Sequence, residues 1–406
     1  MRSRLKNIVL SLGALGLSQA LHADSQTNNS QTQQVMPSTI SDQMVITPNA
    51  GPVVKNGADI FVDADFIYWT ARQDGLPYAY TGVLNPFGSI QGSSALNGSD
   101  AFTMAKGRES YIDNKMDPGF KVGAGLDLRH DGWDNYLEYT WFQTHSSGTT
   151  TASTDTFQET LFPGLDVRDT LFNSTSPNSA SGSVTGFFYD SAHASWALHF
   201  NVFDWELGRN FFVSPRLILR PHIGLKGTWQ RQKFTAKYNG NHELSEPSTS
   251  APFTRSELGY YKISLNQFYW GVGVRAGMDA SWQFTPSWSI YGDWALSALW
   301  GKFDINRTDL QSQANGSTAA TTFVNAQIVN SEREFHSLRA VLELALGLRW
   351  DYFFSDDNYR FRIQAGWEEQ IWFSQNNVNL NNDLLFRESN NDLVLQGLTV
   401  KFRFDF

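Results

Sequence analysis

Few groupings in this sequence have the residue types and spacing that chemistry requires. Glu368 and Glu369 are adjacent carboxylates, the raw material of a general acid and base. On a strand, however, neighbouring side chains leave opposite faces, so the pair cannot act on one substrate atom. Gly271-Val272-Gly273 followed by Gly277 has the glycines of a dinucleotide loop. That loop needs a strand before it and a helix after it, whereas these glycines lie inside one alternating segment. His145, His193, His242 and His336 fall in or beside polar stretches with no nucleophile motif. Asp74, Asp113, Asp117, Asp356 and Asp357 lack the ligand spacing of a calcium loop. The expectation is no catalytic residue, no cofactor and no bound metal.

A different set is more informative. Lys121, Asp127, Arg129, Glu138, Arg220, Lys226, Arg275, Asp279, Asp293, Arg339, Glu343, Arg349, Asp351, Arg360, Arg362 and Glu368 would share one face of a closed sheet. Such a set either lines a water-filled path, where fixed charge sets ion preference, or pairs into a ladder that fills the space.

The elements that would position these residues are strands. Apolar residues at alternate positions mark ten segments, led by Ile60, Val62, Ala64, Phe66 and Tyr68. Phe120–Leu128, Leu137–Trp141, Trp196–Val202, Leu217–Trp229, Phe268–Trp282, Ile290–Trp300, Leu338–Trp350, Phe361–Trp367 and Leu398–Phe406 follow. Long polar stretches (Ala71–Pro118, His145–Ala192, Gln232–Ser264, Lys302–Glu334, Ser374–Asn391) alternate with short turns such as His130-Asp131-Gly132. That is the rhythm of an antiparallel up-and-down transmembrane β-barrel of about 10 to 12 strands, with long extracellular loops and short periplasmic turns. In such a barrel the apolar alternation, including Trp196–Val202, faces lipid and the charges face the lumen. Trp69, Trp141, Trp282, Trp288, Trp300, Trp350 and Tyr352 sit near strand ends, as interface girdles require.

Composition agrees. Charged residues are 17% of the 406, below the roughly 25% of soluble domains. Mean hydropathy is −0.35, too polar for a helical membrane protein. There is no cysteine, which removes thiol catalysis, thiolate zinc sites and disulfides. A net charge of −9 argues against a nucleic-acid partner.

Residues 1–23 have a basic start (Arg2, Arg4, Lys6), an apolar run from Ile8 to Leu17, and small residues at Ser18, Ala20 and Ala23, the form of a signal peptide. Residues 24–56 read as a flexible periplasmic leader and 57–406 as the barrel. An exported barrel belongs in the bacterial outer membrane.

The chain closes on Leu398-Thr399-Val400-Lys401-Phe402-Arg403-Phe404-Asp405-Phe406, and Phe402, Phe404 and Phe406 resemble the assembly signal of bacterial outer-membrane barrels. Tyr68-Trp69-Thr70-Ala71-Arg72-Gln73-Asp74-Gly75-Leu76, Glu206-Leu207-Gly208-Arg209-Asn210-Phe211-Phe212, Leu219-Arg220-Pro221-His222-Ile223-Gly224-Leu225, Gly271-Val272-Gly273-Val274-Arg275-Ala276-Gly277 and Gly366-Trp367-Glu368-Glu369-Gln370-Ile371-Trp372-Phe373 resemble the Legionella-type pore-forming major outer membrane protein family, found also in chlamydia-like bacteria. The resemblance runs from about Gly57 to Phe406. It implies a porin-like, non-enzymatic protein passing ions and small hydrophilic solutes. The alternative is a surface structural protein or adhesin acting through its long loops. Expected partners are outer-membrane lipid and lipopolysaccharide, the barrel-assembly machinery through the last strand, and small hydrophilic solutes. Oligomeric state stays open. Lacking cysteine, the chain departs from the disulfide-linked major outer membrane proteins of the same bacteria.

Overall fold

The computed structural model describes residues 59–82, 108–128, 132–152, 160–164, 187–240, 242–244, 255–257, 259–315, 322–356, 358–377 and 391–406. The expected signal peptide and leader, and Arg129, lie outside them.

Among the described residues there is no helix. Ten antiparallel strands form one closed sheet: β1 (Ile60–Gln73), β2 (Met116–Leu128), β3 (Trp133–Thr151), β4 (Ser191–Arg209), β5 (Leu217–Asn239), β6 (Tyr260–Gln283), β7 (Trp288–Asn315), β8 (Thr322–Phe354), β9 (Tyr359–Asn376) and β10 (Asn391–Asp405). Each pairs with its neighbours in sequence, and β1 pairs with β10 (Phe66 opposite Val400), so no edge is left open. A short extra strand, Phe211–Phe212, lies against Ile218 and Leu219 at the β4–β5 turn.

Alternate side chains leave the two faces of each strand, and their environments differ sharply. Val272, Val274 and Leu346 are 52%, 59% and 64% exposed, while Lys226, on the other face, is 1% exposed. Apolar out and charged in is the membrane-barrel polarity. Trp270 and Trp282 bound this band on β6. They stand twelve positions apart, about 40 Å along the strand and about 30 Å across a tilted wall, which matches the apolar band with its girdles. Aromatic pairs line both borders, Tyr139 stacked on Trp229 (6.0 Å) on the loop side and Trp350 on Tyr352 (5.7 Å) on the turn side.

The strands run further than alternation suggests. A transmembrane strand needs roughly 9–11 residues, but β5 to β8 have 23, 24, 28 and 33. Much of what reads as loop in Gln232–Ser264 and Lys302–Glu334 is wall standing above the membrane. There the outer face meets water, so the lipid-facing signal disappears and the segment reads as polar. Thr322–Ile328 belongs to this extension of β8, and the barrel has ten strands. Arg108–Ser110, Ala79–Gly82 and Thr160–Pro163 form a small sheet, and Phe187–Phe188, His242–Leu244 and Arg255–Glu257 another.

The same change of surroundings corrects two expectations. Trp196, Leu198, Phe200 and Val202 point into the barrel, each at most 3% exposed, with His199 and Asn201 outside. Trp69 is not a girdle residue either; it is buried inside and donates its indole N–H to Thr399 Oγ1 (3.1 Å).

Candidate functional site

The interior of the barrel is the candidate site. Its turn-side half is built from charged groups on inward positions. Lys401 Nζ, on β10, lies 3.6, 3.4 and 3.0 Å from Asp63, Asp65 and Glu138. Lys121, on β2, bonds Glu368 of β9 at 2.7 Å and lies 3.5 Å from Glu138. On the opposite wall Arg220 holds Asp134 (2.8 Å), Glu206 (3.1 Å) and Asp279 (2.6 Å). Arg275 joins Glu206 and Glu343, and Lys226 joins Glu343 and Asp204. Because β8 and β5 are not neighbours, the Lys226–Glu343 pair crosses the lumen. Nearest the turns, Arg360 and Arg403 share Asp405, and Arg362 holds Asp351.

The inward charges read from the sequence are thus largely drawn into pairs. Asp127 is the exposed one, at the turn end of β2. Asp293 makes no ion pair among the described residues, Arg349 lies over the Tyr291 ring (5.4 Å), and Arg339 lies over Phe303 while donating to Asn377 Oδ1 (3.2 Å). Asp63, Asp65, Asp134, Asp204, Glu206, His222, Lys401, Arg403 and Asp405 complete the network, and the same alternation carries them. Pairing matters energetically, since a buried charge stripped of its partner costs several kcal/mol.

Inside the barrel two groups of three ligand-type side chains converge among the described residues, and neither fits a metal. Around Glu206, His222 and Asp279 the guanidinium groups of Arg220 and Arg275 already hold the carboxylates. Around Asp63, Asp65 and Glu138 the Lys401 ammonium takes the cation's place. Glu368 faces in and Glu369 out, as alternation requires. His145, His193 and His336 are exposed on the outer wall; His193 Nδ1 lies 3.0 Å from the Thr149 hydroxyl, and no acid stands beside that pair among the described outward positions of β3 and β4.

The loop-side half differs. Its inward positions carry Trp69, Phe142, Phe200, Leu265, Tyr269, Leu299, Phe303 and Trp372, all buried in one cluster. Phe200 meets Trp372 edge-on at 5.4 Å across the lumen, and Tyr269 stacks on Phe303 at 4.4 Å. Within this half, on the loop side of Trp372 and Tyr269, lies a belt of side-chain amides. Strand β9 loses register after Trp372, and Ser374 adopts φ +54°. The displaced residues turn inward. Gln375 Nε2 donates to Gln230 Oε1 on β5 (3.0 Å), Gln267 Nε2 donates to the Gln375 carbonyl (2.8 Å), and the Asn377 N–H donates to Gln267 Oε1 (3.1 Å). In a ring of ten, β9 and β5 stand almost opposite, so the belt spans the barrel. Gln375 is 0% exposed and Gln230 1%, whereas the Asp279 and Lys401 side chains keep 29% and 21%. The charged half is open at Asp279 and Lys401, while Lys226 and Asp65 there are buried as deeply as the belt. No sequence pattern marks Gln375, because its position depends on the lost register.

At the outer rim a small pocket is lined by Arg72, Asp74, Leu76, Tyr111, Ile112 and Trp196. There Tyr111 Oη donates to Glu109 (2.5 Å), which pushes the phenol up to about 12.

A family model described as the Legionella pneumophila major outer membrane protein precursor matches residues 54–406. Among solved structures the chain is similar to the outer membrane protease OmpT from Escherichia coli (11% identity, 88% of this chain and 99% of that one, TM-score 0.34). It is also similar to the P. putida toluene transporter TodX (7% identity, 86% and 90%, TM-score 0.27) and to a major outer membrane protein from Thermus thermophilus (12% identity, 70% and 97%, TM-score 0.20). No match to a curated protein was found.

Proposed function

The chain belongs to the Legionella pneumophila major outer membrane protein family, and on that premise we propose that it is a narrow, gated passage for ions and small hydrophilic solutes across the outer membrane. The observation that carries this reading is the amide belt. The barrier across the lumen is made by residues of a locally displaced strand end, Gln375–Asn377, and held by neutral hydrogen bonds. Each contributes about 1 kcal/mol net, so withdrawing the segment costs a few kcal/mol, far less than unpairing the wall. Below the belt, described inward carboxylates outnumber the bases, which favours cations over anions.

Single-channel recording tests the gate. Gln375→Ala and Gln230→Ala should raise the open fraction about fivefold each, because one hydrogen bond of about 1 kcal/mol is a factor of about five. Silence of the wild type and of both variants in bilayers, with the barrel folded, removes the passage.

The packed aromatic core of the loop-side half supports a second reading, a rigid platform for loops that bind a surface partner. Deleting residues 153–186 should then abolish attachment and leave conductance unchanged. We read the chain as a non-enzyme in both cases. The exposed Phe402 and Phe406 support the last strand as the part engaged by the assembly machinery.

A further inference from the structure

Two sets of cations on the barrel contrast. Inside the turn-side half, Lys121, Arg220, Lys226, Arg275, Arg360, Arg362, Lys401 and Arg403 each touch a carboxylate. On the outer wall of the loop-side half, Arg231, Lys233, Lys237 and Lys262 form no ion pair among the described residues. All four are outward on two neighbouring strands, β5 and β6. The outward positions of β3 and β4 beside them carry His145, His193 and His199 and no acid. The register sets Lys237 directly opposite Lys262 on one side and His193 on the other. Like charges directly opposite one another destabilise a sheet, so this row stands at a cost unless an anion lies over it.

Location says which anion. Trp229 and Trp270 face each other across β5 and β6 at the loop-side border of the apolar band, and Tyr139 stacks on Trp229. Arg231, Lys233 and Lys237 follow Trp229 at two, four and eight positions along the same outward face. They rise from about 5 to about 20 Å above the girdle. Acids on the outer wall begin on the other flank of β6: Asp304 of β7 stands opposite Phe268, with Glu332 and Glu334 beyond it on β8, and none lies opposite Lys233, Lys237 or Lys262. Arg231 lies over Phe268 (6.0 Å) and Lys237 over Tyr260 (4.5 Å), contacts that hold both cationic groups against the wall.

We propose that this face binds the phosphorylated headgroup of an outer-leaflet glycolipid, lipopolysaccharide, standing along the wall with its acyl chains against the apolar band. Charge complementarity at headgroup depth, continuous with an aromatic girdle, is the chemistry of such a site. The inference rests on the barrel and its orientation, and not on whether the lumen conducts.

The test uses the full chain folded into vesicles containing phosphorylated lipopolysaccharide, its dephosphorylated form, or no glycolipid. The readout is glycolipid retained per barrel after detergent extraction. R231Q/K233Q/K237Q/K262Q should retain roughly tenfold less than wild type, since each surface cation adds an increment of attraction to an anionic lipid. The charge-preserving R231K/K233R/K237R/K262R should retain as much as wild type, and heat-modifiable gel migration identifies folded barrels. Should the fourfold glutamine variant not fold, K233Q and K237Q singly should each give a partial loss. Dephosphorylated glycolipid should be retained about as weakly as by the fourfold variant. Equal retention by the glutamine variants, or of dephosphorylated glycolipid, overturns the proposal. So does displacement by inorganic phosphate alone, which would assign the face to a free anion.

Discussion

The two halves of the barrel interior solve opposite problems with one sheet. In the turn-side half the outer face meets lipid, so apolar side chains leave the barrel and charges such as Lys226, Glu343 and Arg275 are sent inward to be paired. In the loop-side half the outer face meets water, and Phe200, Trp372, Phe142 and Phe303 fill the inside as in a soluble protein. Strand β4 carries both regimes without a break: Trp196, Leu198, Phe200 and Val202 are followed on the same face by Asp204 and Glu206. What a strand buries is set by the solvent outside, not by the strand. The amide belt lies within the apolar half, on the loop side of Trp372 and Tyr269, and hydrogen bonds between neutral groups hold it.

Removing one charge from the paired half should have the largest effect. Lys226→Ala leaves Asp204 and Glu343 sharing fewer cations, and should destabilise by about 4 kcal/mol, read as the denaturant midpoint of heat-modifiable migration in vesicles. A loss under about 1 kcal/mol would mean that water relieves these charges and that the turn-side half is wetter than its pairing implies. Next comes the apolar half. Phe200→Ala removes a fully buried ring from its contact with Trp372 and should cost about 3 kcal/mol by the same measurement. Equal tolerance of Phe200→Ala and of an outward loop-side change such as His199→Ala would dissolve the distinction between core and wall.

Much of this was legible beforehand. Ten alternating segments became ten strands, and alternation also placed the charged face, because a lipid-facing strand separates apolar from polar at every step. Where water replaces lipid that separation loses its meaning. Trp196–Val202 alternates as cleanly as Leu338–Trp350, yet one set faces the lumen and the other faces lipid. Parity cannot tell them apart without knowing where the membrane border falls. The nearby Asp204 and Glu206, on the same parity as Phe200, were the available signal. Gln375 offered none, since its inward turn follows from a lost register after Trp372 and a backbone angle at Ser374.

The smallest effects give the sharpest separation, because one substitution on one face of the wall should have two outcomes. Leu344 and Thr308 both point outward, on β8 and β7, but on opposite sides of the loop-side border marked by Trp300 and its partner Leu338. Leu344→Arg puts a charge into the apolar band and should cost about 2 kcal/mol. Thr308→Arg stands where the wall meets water and should change stability by less than about 0.5 kcal/mol. In detergent micelles of short chain length the first cost should shrink while the second stays the same. The difference belongs to the surroundings, so moving the border moves the penalty. If Thr308→Arg were as costly as Leu344→Arg in vesicles, the apolar band would extend over the upper wall. The inward aromatics above it would then need another explanation than water outside.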